Sequence, residues 1–228
     1  MKPSSRPPRT PSRLSDSLHR KLNMYALAAS ASGVGALAFA CPAEGKIIYT
    51  PTHRVIGPNS TYNLDLNHDG TTDFKFRNLW TSTTDLGPQG ILSLNPAQAG
   101  NGVRGSGSMF FHYDLALAAG VQVGAKGPFL YFSFNPMVLG ISTKCWGPWT
   151  NVKNRYLGLK FMVNGKPHFG WARANVSCNL SDFKITAVLT GYAYETIPNK
   201  AIIAGKTKGP DVITVEPATL GRLALGRN

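Results

Sequence analysis

Acidic residues are scarce in this chain: 11 Asp and Glu stand against 24 Lys and Arg over 228 residues, a formal net charge of +13. Beyond Asp85 only Asp114, Asp182, Glu195, Asp211 and Glu216 carry carboxylates, and no local pattern makes two of them partners. Asp182 and Glu195 are the nominal pair a glycosidase would need, so a glycan or ester hydrolase ranks third among the readings. With three cysteines, no C-x-x-C and no Cys/His cluster at zinc spacing, a structural zinc site is excluded. There is no G-x-S-x-G elbow and no H-E-x-x-H helix. The basic residues never run three in a row, which argues against a nucleic-acid stripe. Gly100-Asn101-Gly102-Val103-Arg104-Gly105 spells G-x-G-x-x-G, but without the strand before it and helix after it that a dinucleotide site requires. It reads as a flexible loop. His53, His68, His112 and His168 read as surface or hydrogen-bonded residues, although His112 and Asp114 would share a strand face.

What the chain does contain is an oxygen-rich loop, Asp65-Leu66-Asn67-His68-Asp69-Gly70-Thr71-Thr72-Asp73-Phe74. Asp65, Asn67, Asp69 and Asp73 fall at positions 1, 3, 5 and 9, and the Thr71 carbonyl at position 7. Gly70 allows the sharp reversal. A hard cation such as Ca²⁺ takes six to eight oxygen ligands, and a turn with alternate carboxylates supplies most of them. Position 12, a bidentate Glu in an EF-hand, is Phe76, and the flanks alternate as strands do: Tyr62, Leu64 and Leu66 before, Phe74 and Phe76 after. The expectation is a strand–loop–strand unit whose four side chains converge on structural calcium. The alternative is an Asx-rich hairpin turn without metal.

The N-terminus carries Lys2, Arg6, Arg9, Arg13, Arg20 and Lys21 among prolines and serines, followed by an uncharged stretch from Met24 to Ala40. That stretch is short and weakly apolar for a membrane span, so it reads as a cleavable export signal. Cleavage falls after Ala40 or after Gly45, the second favoured because Ile47-Ile48-Tyr49-Thr50 follows at once; lipidation at Cys41 is the minority route. The expected organisation is a disordered basic leader and signal over 1–45, one domain over 46–209, and a tail over 210–228. The mature chain keeps 18 basic and 9 acidic residues. That diffuse positive charge suits an anionic extracellular polysaccharide as partner, or serves solubility alone. After cleavage it is not expected to be an integral membrane protein. Export exposes Cys145 and Cys178 to oxidation, and they are expected to pair.

Short alternating segments between turn residues predict strands over 46–50, 60–66, 73–80, 107–114, 129–135, 155–163, 168–177, 182–196 and 211–215. The clearest hairpin turns at Asn164-Gly165, a pair that accepts positive φ at both central positions. Residues 85–106 read as a long polar loop, and Leu115 to Gly120 as a helical turn or a connection. The fold class is therefore all-β, an antiparallel sandwich or jelly-roll-like domain. Trp146 and Trp149 in Cys145-Trp146-Gly147-Pro148-Trp149 are candidates for stacking on sugar rings, or else pack around the disulfide. Trp80 and Trp171 fit the core.

Several of these pieces occur together in a known family. Lys46-Ile47-Ile48-Tyr49-Thr50-Pro51, the Asp65–Phe74 loop, Leu117-Ala118-Ala119-Gly120, Val123-Gly124, Tyr156-Leu157-Gly158-Leu159-Lys160-Phe161, Phe169-Gly170-Trp171, Ala193-Tyr194-Glu195-Thr196 and Ile202-Ile203-Ala204-Gly205 follow one another in order. The chain resembles secreted bacterial proteins of unknown function of the PEP-CTERM-associated type. Its tail, from Val215-Glu216-Pro217, lacks the long apolar helix and terminal arginine cluster of that sorting signal. The resemblance implies an exported, β-rich protein and brings no catalytic residues. The leading expectation is a non-enzymatic, secreted, calcium-stabilised sandwich of the cell surface or extracellular matrix. A carbohydrate-binding module using Trp146 and Trp149 is the alternative.

Overall fold

The computed structural model describes residues 45–83, 85, 87–107, 112–132 and 134–209, and every regular element among them is a strand. The leader, the tail and the strand expected over 211–215 lie outside the described residues. No helix among the described residues is long and apolar enough to cross a membrane.

Fourteen strands follow in order: β1 (Ile47–Ile56), β2 (Ser60–Leu64), β3 (Phe74–Thr81), β4 (Gln89–Pro96), β5 (Gly102–Gly107), β6 (His112–Asp114), β7 (Gln122–Val123), β8 (Phe129–Leu130), β9 (Pro136–Ile141), β10 (Lys144–Trp146), β11 (Val152–Val163), β12 (Lys166–Cys178), β13 (Ile185–Glu195) and β14 (Ile202–Ile203). Seven make one sheet in the order β1-β13-β12-β11-β5-β6, with β8 also on β5; five make a second, β10-β9-β4-β3-β2; β7 and β14 form a ribbon. All pairs are antiparallel.

Two apolar faces make the sandwich. In β3 the period-two pattern puts Phe74 and Phe76 inside and Lys75 and Arg77 outside. They meet Leu157, Leu159 and Phe161 of β11 and Ile185, Ala187 and Leu189 of β13 in one buried core. The large sheet is buried on its other face too: Phe169 and Trp171 of β12 and Ala193 of β13 pack beneath Leu117, Val123, Ile202 and Ala204. A strand covered on both sides reads as near-continuous burial, as β12 does over Ala172 and its neighbours.

Local chemistry explains the joints. Val163 pairs with Lys166, and Asn164 and Gly165 take φ 50° and 73°, the primed turn expected of Asn-Gly. Register shifts between Arg173 and Ala174 where β12 meets β13. The extra residue, Thr190, reverses which positions face inward: Leu189 belongs to the inter-sheet core, and after it Tyr192 does, while Ala193 faces the outer cluster.

Two expectations are corrected, and one left open between a helical turn and a connection is decided. Residues 85–106 are not one polar loop but contain β4 and β5, with Leu92, Leu94 and Val103 in the core. The segment Leu115 to Gly120 is a connection, bridged at Leu117 to Tyr156, that covers the outer face of the large sheet. The strand expected over 129–135 stops at Leu130, and Tyr131, Phe132 and Phe134 lie exposed beyond it.

Candidate metal centre

The oxygen-rich loop closes the β2–β3 hairpin just beyond the Leu64–Phe74 pair. Leu66 turns inward and is buried, its Cδ2 lying 2.8 Å from where a Cβ on Gly170 would stand. The loop is thereby pinned onto the large sheet, and only a glycine at 170 leaves room for it. Asp65 accepts from the Gly70 amide through Oδ2 at 2.8 Å and from the Asp69 amide through Oδ1 at 3.3 Å. Asp69 Oδ1 accepts from Thr71 N at 2.8 Å, and Asp69 Oδ2 from Asn67 Nδ2 at 2.9 Å. Asp73 points inward, where its Oδ2 accepts from Leu66 N at 2.8 Å. Positive φ at His68 (62°) and Gly70 (86°) permits the reversal.

The electrostatics are those of an acid cluster lacking a counter-charge. Burial pushes the Asp73 carboxyl up to about 6; the Leu66 amide and Asn101 oppose this, and the Asp69 and Asp65 charges add to it. Asp69, at the surface, is held below the usual carboxylate range by the Asn67 amide and then the Thr71 amide. Asn67 Oδ1 is a buried acceptor with no hydrogen-bond partner, and such a group carries a desolvation cost that a cation or a donor would relieve.

These residues form an all-oxygen donor set of the kind hard cations take. Asp65 and Asp69 lie along the exposed turn and Asp73 is directed into the fold; among the described residues no three acidic, His or Cys side chains form a group able to hold a metal as placed. The carboxylates are near enough to repel one another, and each accepts from a different backbone amide.

The expected disulfide is present. Cys145 and Cys178 are bonded, with Cα atoms 6.4 Å apart. The bond links β10 of the smaller sheet to the end of β12 in the larger one. The two-ring platform is corrected: Trp149 is 0 % exposed and donates its indole N–H to the Asp114 carbonyl oxygen at 3.1 Å, whereas Trp146 is 51 % exposed. Trp149 turns inward once β10 ends at Trp146, and the core takes both its faces. Asp182 and Glu195 do not pair either. They lie toward opposite ends of β13, an 11-residue strand spanning on the order of 35 Å. Each instead meets a lysine, Lys184 at 3.0 Å and Lys200 at 3.2 Å. His112 packs against Phe132 with the rings tilted by 48°, while Asp114 is buried.

Some residues that organise the molecule carried no sequence signal. Asn78, fully buried on β3, donates to the carbonyls of Ile56 and Ile185 at 3.1 and 2.7 Å and ties the two sheets together. Asn101, from the glycine-rich segment, anchors Asp73. Asp114 is wholly enclosed, with both carboxyl oxygens unpartnered. The chain matches no protein-family model, no curated protein and no solved structure.

Proposed function

We propose that this chain is a secreted, non-enzymatic β-sandwich of the cell surface or extracellular matrix whose β2–β3 loop is closed by calcium. The observation that carries this reading is the buried, unpartnered Asn67 Oδ1 within one turn of the Asp65, Asp69 and Asp73 carboxylates. A divalent cation would offset the repulsion among those acids and give the orphan oxygen a partner. The hydrophobic stretch after a basic leader supports export, as does the chain's pair of oxidised cysteines.

Two measurements test it. Calcium at 100 times its dissociation constant stabilises a folded protein by about 2.7 kcal/mol, visible as a melting shift of several degrees. Asp69→Ala is expected to remove the shift. A melting temperature unmoved by chelator or by added calcium defeats the calcium part. Recovery of the protein from washed cytosol with its N-terminus intact defeats the export part.

A further inference from the structure

A cavity-like feature lies away from the oxygen-rich loop. It has a volume of 370 Å³ and is lined by Arg104, Gln122, Gly124, Ala125, Lys126, Gly127 and Ala201. That is the size of an ordinary small-molecule site. Among the described residues the ionisable groups lining it are Arg104 and Lys126, both cationic, with no acid.

Arg104 is the informative group. It projects from β5, a strand of the large sheet, so its stem is placed by the fold and not by a loop. A guanidinium offers five N–H donors in a fixed fork. One bond is formed, from Nη1 to the Gln122 carbonyl oxygen at 3.4 Å, while Nε is buried without a partner. The two ion pairs among the described residues, Lys184–Asp182 and Lys200–Glu195, leave Arg104 without a carboxylate. The head also lies against a chain segment that has no side chain: a Cβ on Gly127 would come within 2.6 Å of Cζ and 2.8 Å of Nε. The Gly124–Gly127 turn, closed by a 3.2 Å bond from Gly127 N to Gly124 O, therefore makes room for the guanidinium.

An arginine held at a cavity wall, partly desolvated, unneutralised and accompanied by a lysine is complementary to a planar or tetrahedral oxyanion. We propose that this cavity is an anion-binding site for a carboxylate, sulfate or phosphate group, with Arg104 making the forked contact and Lys126 adding charge at the mouth. The proposal is independent of the calcium loop, which lies at the β2–β3 turn.

The test is calorimetric titration of the purified protein at low ionic strength with two probes, sodium sulfate and sodium D-glucuronate, against sodium chloride as reference. Saturable binding of either probe, tighter than chloride, is the expected result. Preference for glucuronate identifies a sugar acid as the source of the anion, and preference for sulfate a sulfate or free inorganic anion. Arg104→Gln is expected to weaken binding by about tenfold or more, the loss of a charge-assisted hydrogen bond. Gly127→Ala provides the control for folding: it has no positive φ to strain, keeps the arginine, and displaces only the guanidinium, so it too weakens binding while circular dichroism and melting stay native. Failure of both probes to bind more tightly than chloride, or unchanged affinity in both variants, overturns the proposal.

Discussion

Asn101 holds Asp73 across 28 residues of sequence: its side-chain N–H donates to the Asp73 carbonyl oxygen at 3.0 Å, while its Oδ1 accepts from the Met162 amide at 3.0 Å. One fully buried amide thus couples the base of the oxygen-rich loop to β11 of the large sheet. Asn101→Ala leaves the part-buried Met162 N–H without its partner, while the Asp73 carbonyl keeps only the Ala97 amide at 2.9 Å, a loss of about 1–3 kcal/mol. The expected result is a lower urea midpoint with an unchanged slope. Hydrogen exchange should rise first in the Asp65–Asp73 loop, and uniform exchange would mean that Asn101 does not anchor it.

The calcium effect should depend on pH. Asp73 has its folded pKa raised to about 6 from an ordinary 3.8, so without metal its contribution falls as pH rises between those values. Bound cation offsets that loss, and protons compete for the same carboxyl. The melting gain from calcium is expected to be full at pH 7 and to fade below about pH 6. A gain equal at pH 5 and pH 7 would remove Asp73 from the ligand set.

The Cys145–Cys178 bond closes a loop over a sequence separation of 33 and crosses between sheets. Replacing both cysteines with alanine should cost about 3–4 kcal/mol on the chain-entropy estimate. Chemical denaturation of the double variant measures it, and native protein should titrate with no thiol from this pair.

Asp114 provides a second pH signature. Burial raises its carboxyl well above the usual range, against the pull of the Leu94 amide, which approaches short of a hydrogen bond. The folded state therefore keeps a proton the unfolded chain releases, and stability drops as pH climbs above the ordinary value of 3.8. Asp114→Asn does not titrate. Its stability relative to the native protein is expected to improve from pH 4 to pH 8, by about 1–3 kcal/mol, the scale for an unpartnered buried group. A gap that stays constant with pH would mean the carboxyl is not neutral in the fold.

Much of the sheet structure was legible in the residues because the information is local. The alternation in Phe74-Lys75-Phe76-Arg77 needs only neighbouring side chains, and Asn164-Gly165 selects its turn through its own φ preferences. β4 was missed for the converse reason. Gly90, Ser93 and Asn95 resemble a polar loop, and become strand only because β3 and β9 hydrogen-bond either side of them. The oxygen-rich loop could be located from spacing, but the direction of each carboxylate could not, since backbone amides set it.

The sequence by itself determined that the chain builds antiparallel strands and where one hairpin turns. Only the tertiary structure decided that Trp149 is core while Trp146 is exposed, that Thr190 reverses the inward face of β13, and that Arg104 reaches a cavity with no acid beside it among the described residues. Periodicity is a property of adjacent residues, whereas burial and charge pairing depend on segments brought together from 20 to more than 100 residues away, such as Asn78 and Ile185.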